Sequence, residues 1–210
     1  SRASPADTNI FVGAGTYDEQ VNITKSVQII GAGSTTILRS SAVPQVGVYD
    51  FTLGPGSNGS SVEGLTFDFD GAGNDRAGNG IVIRDDNIVL QDNIIHPGIG
   101  KIGITAENGS VAIQNNTIVG GVNSTGILAQ VGSSFLVSGN IFSVNGTNAI
   151  DNSGTSTWDN NDWSDFTANS GYYTQYNISG TAGAVDANPV GKLVATPVPT
   201  EVPPLPTPTT

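Results

Sequence analysis

The chain has 210 residues, which suits one domain, and it contains 28 Gly, 11 Pro and no Cys. A net charge of −11 with only seven Lys and Arg residues argues against nucleic acid or an anionic membrane surface as a partner, and the lack of Cys excludes disulfides and thiolate metal sites. Short β-branched runs between Gly, Asn, Ser and Thr predict an all-β domain, and no apolar run approaches the roughly 20 residues of a membrane span.

The opening segment carries the sequences Gly15-Thr-Tyr-Asp-Glu-Gln-Val-Asn-Ile23, Val27-Gln-Ile-Ile-Gly-Ala-Gly33 and Thr36-Ile-Leu38. It resembles the first coils of the pectin-lyase-like superfamily, in the style of prokaryotic cell-surface β-helix proteins. The resemblance implies a single-stranded, right-handed parallel β-helix. Members of that superfamily usually have a capping helix before this segment. Only Ser1 to Ala6 precede it here, so we expect a thinly covered N-terminal end.

The superfamily also contains enzymes, whose sequence motifs can be compared with this chain. The Asp pair, Gly-His-Gly and Arg-Ile-Lys segments of polygalacturonases do not occur in the sequence. The Asp, Gln and Arg segments of pectin methylesterases are also missing; the equivalent region is a generic strand, Val62 to Phe67. The resemblance therefore implies the fold, and we assign no catalytic residue.

An acidic, glycine-rich segment follows, Asp68-Phe-Asp70-Gly-Ala-Gly-Asn-Asp75. Its spacing is similar to that of calcium-binding loops, in which several hard oxygen ligands surround one ion. Asp, Gly and Asn are also ordinary turn residues, and the terminal bidentate Glu is missing. The segment predicts either a Ca²⁺ site formed by Asp68, Asp70 and Asp75 or an outward loop; we expect no other cofactor.

A repeat of 23 residues begins near residue 80 and continues to about residue 163. Ile81, Ile104, Ile127 and Ile150 are each separated by 23 positions. Two more apolar columns and one Asn column keep steps of 23 and 24 residues: Leu90, Ile113 and Val137; Ile95, Ile118 and Phe142; Asn93, Asn116 and Asn140. Apolar residues alternate within each unit, which predicts short strands and one solenoid turn per repeat, giving a rod about 35 Å long.

The Asn column has a structural interpretation. An amide side chain at a bend between strands can bond to the equivalent amide of the next coil and so build a ladder along the axis. Asn also tolerates the left-handed conformation that such bends require. We therefore predict that Asn93, Asn116 and Asn140 stabilise the stack.

Three basic side chains, Arg84, Lys101 and His96, are candidates for a catalytic base. Arg84 and Lys101 lie near Asp85, Asp86 and Asp92 in the sequence, as in lyases that combine a basic residue with carboxylate-bound Ca²⁺. The alternative interpretation, which the sequence favours, is a set of solvated surface charges, because a surface of net charge −11 would repel an anionic substrate. His96 is the only histidine, and a single histidine in a turn is more often incidental than catalytic.

The sequence contains seven sequons for N-linked glycosylation, modestly more than chance would give. Asn108, Asn123 and Asn145 fall between predicted strands, where a glycan would project without disturbing the ladder. The seven candidate positions are Asn22, Asn58, Asn108, Asn115, Asn123, Asn145 and Asn177.

The C-terminal part of the sequence has two segments of distinct composition, one aromatic and one rich in Pro and Thr. Trp158 and Trp163 continue two core columns, and Tyr172, Tyr173 and Tyr176 follow, which predicts an aromatic cap over about 158–180, with a sugar-stacking platform as the alternative. Residues 195–210 are rich in Pro and Thr, as in a tail or linker. The predicted organisation is a β-helix domain over 1–194 followed by this tail.

These features favour a secreted, extracellular structural or adhesive cell-surface protein, such as a subunit of a sheath, filament or surface layer. Coil ends or the tail would join copies into a homo-oligomer. The alternative is a carbohydrate-active β-helix protein, either a lyase or esterase or a non-catalytic glycan binder. The sequence favours a non-enzymatic role, and the expected partners are copies of the chain and glycans.

Overall fold

A computed structural model describes most of the first 162 residues and one later strand. The described ranges are 8–39, 50–69, 79–99, 101–121, 124–144, 148–152, 155–162 and 178–180. Within them the chain forms twenty short β-strands in three parallel sheets and contains no helix, so nothing described has the length and apolarity of a transmembrane helix.

The strands of each sheet are hydrogen-bonded in parallel, in the following orders. Sheet A contains β1 (Asn9–Val12), β4 (Gln28–Gly31), β7 (Ser61–Glu63), β10 (Ile88–Gln91), β13 (Gly109–Gln114), β16 (Ser133–Ser138) and β19 (Thr155–Asp159). Sheet B contains β2 (Gly15–Asp18), β5 (Thr36–Arg39), β8 (Thr66–Asp68), β11 (Ile94–His96), β14 (Thr117–Gly120) and β17 (Ile141–Val144). Sheet C contains β3 (Val21–Ile23), β6 (Phe51–Leu53), β9 (Asn79–Ile83), β12 (Ile102–Ala106), β15 (Thr125–Ala129), β18 (Asn148–Asn152) and β20 (Ile178–Gly180).

The order of the strands confirms the predicted parallel β-helix. The chain visits sheets A, B and C in turn, and each strand from β1 to β16 pairs with the strand three places later. One circuit of three strands is one coil. Parallel crossover connections of this kind are right-handed, so the molecule is a right-handed parallel β-helix.

The predicted apolar columns coincide with the observed strand register. Ile104 pairs with Ile81 on one side and with Ile127 on the other, and Ile127 pairs with Ile150. The columns that begin at Leu90 and Ile95 also align as predicted. The described side chains of the three columns lie in the core, because alternate residues of each strand face the inside of the coil; the side chain of Ile150 is outside the described part.

The coil that contains the acidic segment is longer than the 23-residue repeat, and the coil before it is longer still, because Ile29 pairs with Val62, 33 positions later. Val62 pairs directly with Leu90, a separation of 28 positions, whereas Leu90 and Ile113 are 23 positions apart; the predicted outward loop falls on residues 70–78, outside the described ranges. Large aromatic residues fill the core at this level. The Phe51 and Phe67 rings are 5.2 Å apart in an edge-to-face arrangement, and Phe69 lies 5.8 Å from Phe67.

An asparagine ladder follows the bend between sheets A and B, as predicted, and extends one coil further than predicted, to Asn161. Nδ2 of Asn93 donates to Oδ1 of Asn116 at 3.0 Å, and the same bond joins Asn116 to Asn140 at 3.1 Å and Asn140 to Asn161 at 3.0 Å. Each accepting Oδ1 also receives the backbone N–H of the preceding Asn. Each Nδ2 donates in addition to a carbonyl of the previous coil, at Val62, Leu90, Ile113 and Val137 respectively.

The backbone prediction for the ladder residues is wrong. Asn93, Asn116 and Asn140 do not have positive φ; the left-handed residue is the one before each of them. The left-handed residues are Asp92, Asn115 and Gly139, together with Asn160 before Asn161 and Gly64 at the same bend one coil earlier, with φ between 54° and 68°. The turn is therefore made by residues that tolerate this conformation, which leaves the following Asn free to point into the stack.

The glycines before the Ile81 column lie at a corner with no room for a side chain. A Cβ on Gly103 would approach the carbonyl oxygen of Gly126 to 2.8 Å, and a Cβ on Gly80 would overlap the Phe69 ring. The repeated Gly is therefore required by close packing between coils.

We predict that Asn116→Ala destabilises the fold severely. The substitution removes the acceptor of two donors of Asn93 and the side-chain donor to the Leu90 carbonyl, all in a buried position. Unsatisfied buried polar groups each cost about 1–3 kcal/mol, so the free energy of unfolding should fall by about 3 kcal/mol or more.

Asn108→Ala is the matched control, because Asn108 is exposed between β12 and β13. Its effect should stay within about 0.5 kcal/mol. Urea denaturation followed by circular dichroism measures the free energy of unfolding of both variants. Equal losses for the two variants would contradict a stabilising role for the ladder.

Candidate functional site

The N-terminal end of the rod exposes apolar core. Strands β1, β2 and β3 are the outermost strands of their sheets and have a described partner on one side only. Phe11 is 75% exposed, and Ile10, which faces inward in register with buried Ile29, is 39% exposed. Residues 1–7, on which the predicted thin covering depends, lie outside the described ranges.

A cavity of about 430 Å³ opens at this end. Its walls are mainly apolar and include Ile10, Phe11, Val12, Val21 and Ile23. The Tyr17 hydroxyl also faces this region and donates to the Gly13 carbonyl at 3.0 Å. The N-terminal end, formed by β1 to β3 and this cavity, combines unpaired strand edges with an apolar interior, which together suit β-sheet addition.

A row of ionisable side chains runs across the outer face of sheet B. Asp18 pairs with Arg39, Arg39 with Asp68, and Asp68 with His96. Neighbouring strands lie about 4.8 Å apart, and Nε of Arg39 is 3.4 Å from a carboxylate oxygen of Asp68. This charged row, formed by Asp18, Arg39, Asp68 and His96, was not found from the sequence, because its members have no constant spacing.

The Arg84 and Lys101 region does not form one cluster. Arg84 makes a two-bond ion pair with Glu107, at 2.7 and 3.0 Å. Asp85, in the bend between sheets C and A, accepts backbone N–H bonds from Gly56 and Asn58 at 2.7 and 3.1 Å. Lys101 lies at a different bend, between sheets B and C.

The neighbouring acidic groups also have local partners. Asp86 accepts the Ser110 backbone N–H at 3.1 Å, and Asp92 is one of the residues with left-handed backbone. The Asp85 and Asp86 contacts tie the turns of neighbouring coils together, and Lys101 lies at a different bend from Arg84.

His96 is the last residue of β11 and is half-buried. Its carbonyl accepts the Phe69 backbone N–H at 3.0 Å, and its strand position pairs it with Asp68. The structure therefore places His96 in the charged row and not beside Arg84 or Lys101.

Four of the seven sequons lie in the described part of the chain, and all four asparagines are exposed: Asn22, Asn58, Asn108 and Asn115. Asn115 immediately precedes the ladder residue Asn116 and has φ of 54°. Asn123, Asn145 and Asn177 lie outside the described residues. Glycosylation stays a prediction at every position.

The other predicted features lie only partly within the described residues. Asp68 lies at the end of β8 and pairs with Arg39, whereas Asp70 and Asp75 are outside the described residues. No group of three His, Asp or Glu side chains suited to a metal ion occurs within the described ranges. Trp158 pairs with Val137 in the predicted column; Trp163, the three tyrosines and residues 195–210 lie outside the described ranges.

Comparison with known proteins yields few matches. No family model matches the chain, and no curated protein matches it. A solved catalytic domain of a GH87 alpha-1,3-glucanase in complex with nigerose is 18% identical, with a TM-score of 0.36. A variant of that domain, also with nigerose, is 17% identical with a TM-score of 0.31. The matches cover 87% of this chain and 40% of those chains, so this chain spans well under half of their length.

The calcium hypothesis predicts that Ca²⁺ releases or absorbs heat on titration and raises the Tm. Binding to the folded state at about 100 times Kd would stabilise it by about 2.7 kcal/mol. Asp75→Asn should remove both effects. Asp18→Asn, in the charged row but outside the acidic segment, should leave them unchanged. No heat and an unchanged Tm in the original chain would end the hypothesis.

Proposed function

We propose that this chain is a structural or adhesive rod of a secreted cell-surface protein, and that its copies associate through the ends of the rod. The open N-terminal end carries the proposal. Apolar side chains of the core reach solvent there, and three strand edges have no described partner on the outer side. Such an edge is a template on which a further strand can add.

The partner at this end is a second copy of the chain. Phe11 is the most exposed large apolar residue of the N-terminal end, and burial of a Phe side chain contributes about 1.5–3 kcal/mol. A second coil placed on β1 to β3 would continue the three sheets with the same parallel pairing. Each contact would be head-to-tail, and such contacts generate filaments when they do not close into a ring.

The net charge sets the conditions for association. Copies that each carry −11 repel one another at low ionic strength, and the repulsion is screened above about 0.1 M salt, where the Debye length is about 10 Å. We therefore expect association to strengthen with added salt, because apolar and backbone contacts persist while the charge repulsion falls.

The surface features support an extracellular location. The four described sequon asparagines are exposed, so glycans would fit there without disturbing Asn93, Asn116 or Asn140. Residues 195–210 have the composition of a stalk or spacer. In this proposal the Pro/Thr-rich segment connects the rod to a neighbouring part of the cell surface.

Phe11→Glu tests the proposal. We expect the dissociation constant for self-association to rise about 10- to 100-fold, because the variant loses the burial of one aromatic side chain. Val131→Glu is the control: Val131 is 80% exposed and apolar but lies between β15 and β16, away from the N-terminal end.

Light scattering and electron microscopy at 0.3 M salt would follow the assembly. Assembly that is weakened by Phe11→Glu and unaffected by Val131→Glu supports the proposal. A chain that stays monomeric at all concentrations and salt levels would refute it.

A carbohydrate-active role is the second candidate, and the charged row favours it. Asp18, Arg39, Asp68 and His96 stand in register on neighbouring strands and offer acidic, cationic and imidazole groups to a saccharide. This candidate predicts that a panel of acidic and neutral polysaccharides contains a substrate or a ligand. Asp68→Asn should weaken cleavage or binding about tenfold or more, whereas Asp159→Asn, on sheet A, should not. No product and no binding across the panel would exclude it.

A further inference from the structure

An apolar stripe runs along the outer face of sheet A. Val89 pairs with Ala112, and Ala112 pairs with Leu136, so the three side chains form one column along the rod axis. Their neighbours on each strand are buried in the core, so these three side chains face outward. Leu136 is 41% exposed, and Val89 and Ala112 are half-buried.

The stripe is the floor of a shallow groove of about 440 Å³. Ala112 has the smallest side chain of the three and leaves space between Val89 and Leu136. The exposed Thr157, which pairs with Leu136, continues the column on β19. The groove therefore spans four strands, or about 14 Å, and is open to solvent.

Uncharged polar side chains border the stripe on both sides. One rim consists of Asn87, Ser110 and Ser134, and the other consists of Gln91, Gln114 and Ser138. The Ser110 hydroxyl donates to Oδ1 of Asn87 at 3.3 Å, which joins two coils along the first rim. Hydroxyl and amide groups can both donate and accept hydrogen bonds, so the rims suit a partner that is rich in hydroxyls.

The charge of the face restricts the partner further. On the described strands β10, β13 and β16, none of the outward-facing side chains is ionisable. Carboxylates flank this area on the neighbouring strands, at Glu63 on β7 and Asp159 on β19. An anionic partner would therefore meet negative charge at both ends of the groove and no cation on its floor or rims, which disfavours it.

We propose that this groove binds a straight, uncharged polysaccharide chain of β-1,4-linked hexoses. Each hexose of such a chain has apolar C–H faces and hydroxyls around its edge. The C–H faces would lie on the stripe, and the hydroxyls would bond to the two polar rims. The strand repeat of about 4.8 Å is close to the length of one hexose in an extended chain, so successive sugars would meet successive strands.

Other occupants fit the groove less well. A peptide that adds to a sheet needs a free strand edge, whereas the backbone groups of β10, β13 and β16 are paired on both sides. A second copy of the rod would need to bury about 800 Å² on each partner, which is far more than three aliphatic side chains expose. The carboxylates at Glu63 and Asp159 would also repel their counterparts in that copy.

The composition of the floor sets the expected affinity. Phe135 on β16 faces the core, and no outward-facing residue on β10, β13 or β16 is aromatic. Without an aromatic ring to stack on a sugar, we expect a Kd of about 1 mM for a short oligosaccharide. The site is on sheet A, so it is separate from the charged row on sheet B and does not depend on association of the rod ends.

NMR titration of the ¹⁵N-labelled full chain with cellohexaose, up to about 10 mM, tests the proposal. We expect the amide signals of Val89, Ala112 and Leu136 to shift with a Kd of about 1 mM. Maltohexaose, whose α-1,4 linkages curve the chain, and the anionic hexagalacturonate should each bind at least about fivefold more weakly.

Two variants and a matched control locate the site. Leu136→Ala should raise the Kd for cellohexaose about fivefold, because the groove loses apolar contact. Ile141→Ala removes an aliphatic side chain of similar exposure, 42%, from the outer face of sheet B and should leave the Kd unchanged. Ala112→Glu puts a carboxylate on the floor and should raise the Kd at least about tenfold, while circular dichroism confirms the β-sheet content.

The proposal is overturned if cellohexaose shifts no signal, or if the shifts lie on the charged row instead of sheet A. It is also overturned if Leu136→Ala and Ala112→Glu leave the Kd unchanged, or if hexagalacturonate binds as tightly as cellohexaose. A change of oligomeric state in Ala112→Glu, seen by light scattering, would instead make the face an interface between copies. A chain that stays monomeric can still bind cellohexaose, so this experiment and the self-association experiment fail independently.

Discussion

The hydrogen bonds of the asparagine ladder are the constraint on which the coils depend. The Oδ1 of Asn116 accepts both a backbone and a side-chain N–H of Asn93, and its Nδ2 donates to the coils on both sides. Such a buried amide is stable only when every neighbour supplies its partner at the same place. The ladder therefore fixes where each coil bends, and with it the register of strands on both sides of the bend.

This constraint explains why the middle of the fold could be predicted from the sequence. A buried Asn must recur once per coil, and inward apolar residues such as Ile104 and Ile113 must recur with it, so the period is visible directly. Asn161 was not included in the predicted ladder, although it follows Asn140 by the same 21 residues that separate Trp158 from Val137. The backbone conformation was wrongly assigned because the sequence does not distinguish the residue that turns, such as Asn115, from the residue that bonds, Asn116.

The outer faces could not be predicted in the same way. Asp18, Arg39 and Asp68 meet only because coils of different length bring them into register, and no fixed spacing records this. The full burial of Val82, which alternates with the core residues Ile81 and Ile83, was likewise not predicted. Three successive apolar residues, Ile81 to Ile83, are a weak signal of burial on both faces, since a one-sided strand would alternate.

The two parts of the rod differ in how firmly they are held, and this difference relates the fold to the proposed function. The asparagine ladder ties the middle coils together, whereas the N-terminal end retains open strand edges and exposed apolar side chains. The most direct test of this account is hydrogen exchange of asparagine side-chain amides by ¹⁵N NMR. The Nδ2 protons of Asn93, Asn116 and Asn140 should exchange more than about a thousandfold more slowly than those of exposed Asn108. Exchange of all four at similar, unprotected rates would contradict the account.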